Sequence, residues 1–419
     1  MATVAFVSPM PPAETGIATY AAAVLGGLEA TGFAAEHTIE SIWPVGPGAE
    51  ERVAAADVAV YQLGNNVEFH GEIYRLSVWH PGVVVLHDLA LDGLMYGLGV
   101  ARSPLAEPAR SEAIAAAPPG EGFEYPLGVP WCAQAVRRAR AVIVHSRFAA
   151  TYLERVGCRT PITIAPHPLV EADEEIERAR VRGADLRARA HEGGGLVVGI
   201  AGDLNASKGI AELLAAVGRM RADVRVLLVG RTSPHWDLRS VLRHSGVADR
   251  VTVIANTSDE DFLSWLCAFD VLVNLREPHR GETSGSLVRA LHVGVPTVVS
   301  AVGTYLEVPD DVVARIPAGP PDPAALADVL DRLAADPAGR AAMGERARAY
   351  ARNELAPERT AGAYAAAIEG VLALRADPAR AALARWASAL QAEGVRPRDV
   401  RRGFGLRYAE SLAEIAAAH

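Results

Sequence analysis

Lys208 is the single lysine among the chain's 41 lysine and arginine residues. Where codon bias replaces lysine by arginine throughout, a surviving lysine points to a task that a planar guanidinium does badly, such as setting a compact charge against a phosphate. The competing reading is chance survival on a solvated helix face. Lys208 lies in GDLNASKG (202–209), where Gly209 stands in place of the Ser or Thr of a Walker loop, so the magnesium-binding hydroxyl is missing. A second anion-binding pattern is GETSGS (281–286), which opens a helical pattern continuing through Leu291. Its small residues, Gly285 among them, expose consecutive N–H groups, and Thr283, Ser284 and Ser286 add hydroxyl donors. Arg276 and Arg280 lie beside it, at the end of the apolar run DVLVNL (270–275), positioned either to meet phosphate or to face solvent. His87 closes another apolar run, GVVVLH (82–87), and Asp88 follows. The carboxyl end of a strand is the ligand side of an α/β sheet, although a structural histidine is the alternative. Asp88 either fixes the tautomer of His87 or caps the next helix. Gly16 sits in a proline-rich loop where its missing side chain admits a phosphate or a sugar, or simply serves the turn.

These residues need elements to hold them. Apolar runs at 3–7, 57–63, 82–87, 140–145 and 161–165 alternate with helical patterns, and a second series follows at 196–202, 224–230, 250–255, 270–275, 297–301 and 312–316. Fully apolar strands alternating with helices predict parallel sheets covered on both faces, so the fold class is α/β, doubly wound twice over. The charged stretch 171–194, ending in three glycines, reads as the interdomain linker, and the Pro/Gly-rich insertion 103–130 as irregular helices and loops. Helices are expected at 17–30, 207–221, 323–335, 338–352, 357–375, 377–393 and 404–418.

At 419 residues, half of them apolar, the chain supports two or three globular domains. A net charge of −9 speaks against nucleic acid as partner. The three cysteines are too few and too scattered for a zinc knuckle or a disulfide framework, which suits a reducing cytoplasm. The most lipid-like stretch, 83–100, is broken by His87, Asp88 and Asp92. No GxGxxG follows a strand, so neither a nicotinamide nor a flavin cofactor is expected. The Asp259–Glu260–Asp261 triplet has the spacing of a metal-binding DxD, but Ser258 or Asp259 is placed to cap a helix there, and no metal site is expected.

Seven segments in register resemble the family 4 retaining glycosyltransferases of glycosyltransferase group 1: SPMPPAETGIATY (8–20), VLHD (85–88), VIVHS (142–146), ITIAPHP (162–168), AGDLNASKGIAELLAA (201–216), VRVLLVG (224–230) and the run from Arg280 to Asp311. The resemblance implies a GT-B fold, with two Rossmann-like domains facing a cleft. Residues 1–180 would bind the acceptor, 195–375 the nucleotide-sugar donor, and 376–419 would form a helical extension. It implies that His87 meets the donor sugar near its anomeric carbon and that Glu282 holds sugar hydroxyls. Lys208, with Gly16, Arg276, Thr283, Ser284, Gly285 and Ser286, would hold the diphosphate. Gly230, Arg231 and Asn256, which follow two strands of the second domain, are the candidates for the nucleoside, together with Arg289.

The chain departs from the family pattern at three positions. Asp203 stands where an arginine is usual, Glu282 comes one position late, and Arg289 replaces the second glutamate. Arg289 then either meets phosphate or pairs with an acid. Glu307 resembles a common family acid and reads equally as a loop charge. The expected reaction is metal-independent, retaining transfer from a UDP- or GDP-linked sugar to an unidentified acceptor: a saccharide, a lipid-linked glycan or a small natural product. Rival readings are a GT-B epimerase or phosphorylase, or a non-catalytic sugar-nucleotide-binding partner. Arginines from Arg396 to Arg407 suggest at most peripheral contact with anionic lipid, against a plain solvated or packing surface.

Overall fold

The computed structural model describes residues 1–116, 125–190, 195–234 and 236–376. The expected helices at 377–393 and 404–418, and the arginines around Arg401, lie outside the described residues. The chain divides into compact units of residues 1–368 and 369–419, and both sheets belong to the first. Among the described residues no helix is long and apolar enough to cross a membrane.

The first sheet contains β1 (Thr3–Val7), β2 (Thr38–Ile42), β3 (Val58–Leu63), β4 (Val83–Leu86), β5 (Ala141–Val144) and β6 (Ile162–Ile164). Their order is β2-β1-β3-β4-β5-β6. The second contains β7 (Leu196–Ala201), β8 (Val224–Gly230), β9 (Val251–Ala255), β10 (Val271–Asn274), β11 (Thr297–Ser300) and β12 (Val313–Ile316), in the order β12-β11-β10-β7-β8-β9. Every pairing is parallel. Central strands such as β3, β4 and β7 are buried at every residue, as helices on both faces require. In each sheet the chain reverses its direction of winding beside the first strand, between β1 and β3 and between β7 and β10. Such reversals open crevices at the carboxyl ends of the strands.

Three elements differ from the sequence expectation. β2 was not anticipated, because TIESI is mostly polar without regular alternation and lies at the sheet edge with Thr38 and Ser41 exposed. The stretch read as a linker is mostly an 18-residue helix, Asp173–Ala190. Three acids fill its first turn and two arginines its last, which complements the helix dipole. It buries Ile176, Ala179 and Gly183, and a Cβ on Gly183 would lie 2.5 Å from the Cβ of Cys267, so glycine permits that close packing. Finally, the helix expected from 207 starts as a single 3-10 turn, Ala206–Lys208. Gly209 at φ +66° then breaks it from the helix Ile210–Val217.

β7 tolerates no side chain at Gly199, where a Cβ would stand 2.2 Å from the Phe269 ring. Gly199→Ala should therefore destabilise the fold by about 1–3 kcal/mol through overpacking. Urea unfolding should show part of that loss recovered when Phe269→Leu is added, and independent, additive effects would contradict the packing account.

Candidate functional site

At the β7/β10 reversal the chain buries a cation. Lys208 is 5% exposed, and its Nζ donates to the Ala201 carbonyl at 2.7 Å. The Ser286 hydroxyl donates to the same carbonyl at 3.1 Å. Between them Gly202 adopts φ +98°, and a Cβ there would lie 2.8 Å from Ser286 Oγ and 3.0 Å from Lys208 Nζ. Burial, then the nearby Arg276, pushes the Lys208 ammonium well below its usual pKa. Among the described residues Lys208 has no carboxylate at ion-pair distance. Asp203 instead pairs with Arg231 at 2.9 Å, and Arg231 also donates to the Glu14 carbonyl from the β1 loop. The acid that departs from the family pattern is thus neutralised by the arginine that the sequence reading assigned to the nucleoside.

Arg276 spends its guanidinium on its own surroundings. Nε donates to Glu282 at 3.0 Å, Nη1 to the Leu275 carbonyl at 2.7 Å and to Asn274 at 3.2 Å, and Nη2 to Ser284 at 3.1 Å. The second Glu282 oxygen accepts the Arg280 N–H at 2.6 Å. Ser284 caps the helix Gly285–Val293, accepting from Leu287 N–H at 3.3 Å. Thr283 is half-buried beside it. Lys208, Ser286, Ser284, Arg276 and Glu282 therefore converge around one helix start. Gly16 opens the helix Gly16–Ala30 with free space where a Cβ would stand.

The nucleoside candidates are not brought together in the same way. Gly230, at φ +135°, is required by backbone packing, since a Cβ would stand 2.1 Å from the Gly202 carbonyl oxygen. Asn256 is exposed at φ +55°. Arg289 turns to an acid, pairing with Glu171 at 2.5 Å and lying over the Phe262 ring. Ser258 caps the helix Asp259–Cys267, accepting from Asp261 N–H at 3.1 Å, as the spacing of that triplet implied.

The first sheet presents three histidines just past successive strands: His87 after β4, His145 after β5 and His167 after β6. His87 Nε2 lies 2.8 Å from Gln62 Oε1, and His87 Nδ1 lies 3.2 Å from His145 Nε2. His145 Nδ1 faces the Ala165 carbonyl at 2.9 Å. The Tyr20 ring stands edge-on to His87, with centroids 4.6 Å apart, and its hydroxyl is 2.9 Å from that of Tyr364. Burial pushes all three histidines down, His145 to about 4 and His167 to about 3. His145, His167, Gln62, Tyr20 and Tyr364 were not picked out from the sequence. The recurring histidine after an apolar run was the signal available for the first two, in VIVHS and ITIAPHP.

Asp88 turns away from both roles considered for it and accepts the Asn65 N–H at 3.0 Å. Loops of the two sheets meet beside it. Arg280 pairs with Asp92 at 2.9 Å, and its carbonyl accepts from Leu89 and Ala90. Glu307 takes the Arg147 and Phe148 N–H groups at 3.0 and 2.7 Å, at the start of the helix Arg147–Arg155.

Residues 195–336 match the family model described as glycosyl transferases group 1. The chain is 26% identical over 260 residues to the 2-deoxystreptamine glucosyltransferase of Streptomyces kanamyceticus, covering 60% of this chain and 65% of that protein. It is 32% identical over 157 residues to the D-inositol 3-phosphate glycosyltransferase of Xylanimonas cellulosilytica, covering 36% and 37%. The matches thus span less than two thirds of these relatives. Among solved structures, Anabaena Alr3699/HepE in complex with UDP-glucose superposes with a TM-score of 0.62 at 15% identity, over 88% of this chain and all of that one. Sucrose-phosphate synthase from Thermosynechococcus elongatus gives 0.65 at 18%, over 89% and 100%. The shared architecture is GT-B.

Burial, then the Glu282 charge, raises Asp88 from 3.8 to about 7. Between those values the folded state keeps a proton that the unfolded chain has released, so this group lowers stability as pH rises through that window. Asp88→Asn should remove this part of the slope, and the variant should gain on the wild type in denaturant titrations as pH rises from about 4 to 7. Parallel pH profiles would contradict the assignment.

Proposed function

We propose, on the premise that residues 195–336 match the glycosyl transferases group 1 model, that the chain transfers a sugar from a nucleotide-diphosphate donor to an acceptor hydroxyl, with retention. The observation that carries this reading is the positive charge of Lys208 at the end of β7, which no carboxylate among the described residues pairs. Lys208 and Arg276 are both buried there, the nearby carboxylates Glu282 and Asp203 are bonded to Arg276 and Arg231, and the helix Gly285–Val293 starts beside them, with Ser286 Oγ and Lys208 Nζ flanking Gly202. Such a pocket is completed by an anion, and a diphosphate supplies one. As the donor bond breaks, negative charge grows on the departing diphosphate. The preorganised ammonium and amides stabilise it without reorganising, which is the main term available to a site that works without a metal.

His87 and Glu282 are proposed to face the donor sugar. Glu282 does so as a carboxylate already held by Arg276 and the Arg280 N–H, so it accepts sugar hydroxyls from a fixed direction. A uridine base is the first choice, because the structural relative named above was solved with UDP-glucose. The acceptor would enter from the first-sheet side. With Asp203 paired to Arg231 and Arg289 to Glu171, the two departures that favoured a non-catalytic partner have local structural explanations.

Lys208→Met should weaken nucleoside diphosphate binding about 10- to 150-fold, the value of one charge-assisted contact. The unliganded variant should be at least as stable as the wild type, because a buried cation without a counter-ion is costly. Calorimetric titration with UDP and GDP, beside thermal unfolding, measures both. Unchanged affinity would remove Lys208 from the phosphate site. Release of nucleoside diphosphate from a donor panel, with and without acceptors and in the presence of EDTA, separates transfer from epimerisation, phosphorolysis and mere binding.

A further inference from the structure

The line of polar groups at the end of the first sheet has a proton arrangement that can be worked out one bond at a time. The Ala165 carbonyl can only accept, so His145 Nδ1, 2.9 Å away, carries a hydrogen. With His145 uncharged, its Nε2 is bare, and the hydrogen in the 3.2 Å contact belongs to His87 Nδ1. With His87 also uncharged, its Nε2 is bare and needs a donor. The group facing it at 2.8 Å is the Gln62 side-chain amide. A half-turn of that amide exchanges oxygen and nitrogen without changing its shape. It then gives an N–H to His87 and offers its oxygen to the Tyr364 hydroxyl, which lies 3.1 and 3.4 Å from the two terminal amide atoms. Tyr364 donates to the amide, and Tyr20, 2.9 Å off, donates to Tyr364.

The opposite amide orientation makes His87 Nε2 a donor. Two bare ring nitrogens then face each other unmet across the 3.2 Å contact, unless His87 or His145 takes a second proton and becomes a cation. That cation would be surrounded by Tyr20 from the helix Gly16–Ala30, Gln62 from β3, His70 from the helix Val67–Trp79, His167 beyond β6, and Tyr364. None of these is an anion, and Asp88, next in sequence to His87, is turned to Asn65. A buried cation without an anion is strongly disfavoured.

We infer that Gln62 and Tyr364 are positioning residues that hold His87 as its neutral Nδ1–H tautomer, through one directed line of hydrogen bonds from Tyr20 to the Ala165 carbonyl. Each internal group in that line donates once and accepts once along it. His70 fixes the Gln62 backbone from the other side, its Nδ1 donating to the Gln62 carbonyl at 3.0 Å. In the proposed transfer, on which this consequence rests, His87 presents a fixed uncharged ring and does not carry protons.

The test is nuclear magnetic resonance of the full chain labelled with ¹⁵N-histidine, using multiple-bond correlations that tell bare from protonated ring nitrogens. His87→Gln and His145→Gln assign the signals. The expected wild-type result at neutral pH is a protonated Nδ1 and a bare Nε2 on both residues. A His87 protonated at Nε2, alone or together with Nδ1, overturns the inference. Gln62→Glu places an acceptor where a donor stood and should protonate His87 Nε2, so an unaltered Nδ1–H tautomer in that variant overturns it as well. Tyr364→Phe frees the amide to turn and should bring a second tautomer into exchange. With an active donor it should also lower kcat about fivefold, with donor KM little changed, the scale of one neutral hydrogen bond. Should no sugar donor be turned over while the wild-type tautomers are as stated, the transferase reading fails and the tautomer assignment stands.

Discussion

Lys208 is held out of water with no counter-ion among the described residues, and most of what surrounds the β7 end can be read as a response to that. The Ala201 carbonyl turns toward it, and Gly202 leaves the space that a Cβ would fill. Nearby acids that might have neutralised it are held elsewhere, Glu282 by Arg276 and Asp203 by Arg231. A desolvated ammonium is expensive, and the fold tolerates it where a bound anion would return the lost stabilisation. The helix starting at Gly285 adds its own positive end to the same spot.

The end of the first sheet follows the opposite rule. Three histidines, a glutamine and two tyrosines gather there, and burial keeps the histidines uncharged. Such a network is stable only when every donor finds an acceptor, because low dielectric makes each unmet group costly. One sheet thus ends in uncompensated charge and the other in polar groups without charge.

The loops that connect these two ends are tied directly to each other. Arg280 carries both kinds of link: its guanidinium pairs with Asp92, while its N–H and carbonyl bind Glu282 and the chain at Leu89 and Ala90. Gly281, at φ +75°, permits this approach, since a Cβ would stand 2.4 Å from the Leu89 side chain. Glu307 adds a second tie by accepting the first N–H groups of the helix Arg147–Arg155, where an anion is favoured. The acid that read equally well as a loop charge has a defined partner after all.

The sequence by itself determined the doubly wound plan. Apolar runs long enough to be buried on both faces, alternating with helices, leave few other architectures, and they direct the search for candidate site residues to the loops following those runs. Lys208, GETSGS and His87 were legible for that reason, each standing next to an apolar run or a helix start. The edge strand β2 was not, because half its face meets water and its pattern is that of a loop. Neither was the helix Asp173–Ala190, whose narrow buried stripe is hidden among charges. Only the tertiary structure decided which charges are spent. Arg276, Arg231 and Arg289 look alike in sequence, yet Arg276 is satisfied within its own loop by Glu282, whereas Arg231 and Arg289 are met by Asp203 and Glu171, brought from distant segments. Tyr364 reaches Gln62 from 302 residues away. Hydrogen-bond and ion-pair partners depend on separations of about 3 Å between side chains, and local pattern specifies direction along an element but not what another element sets opposite it.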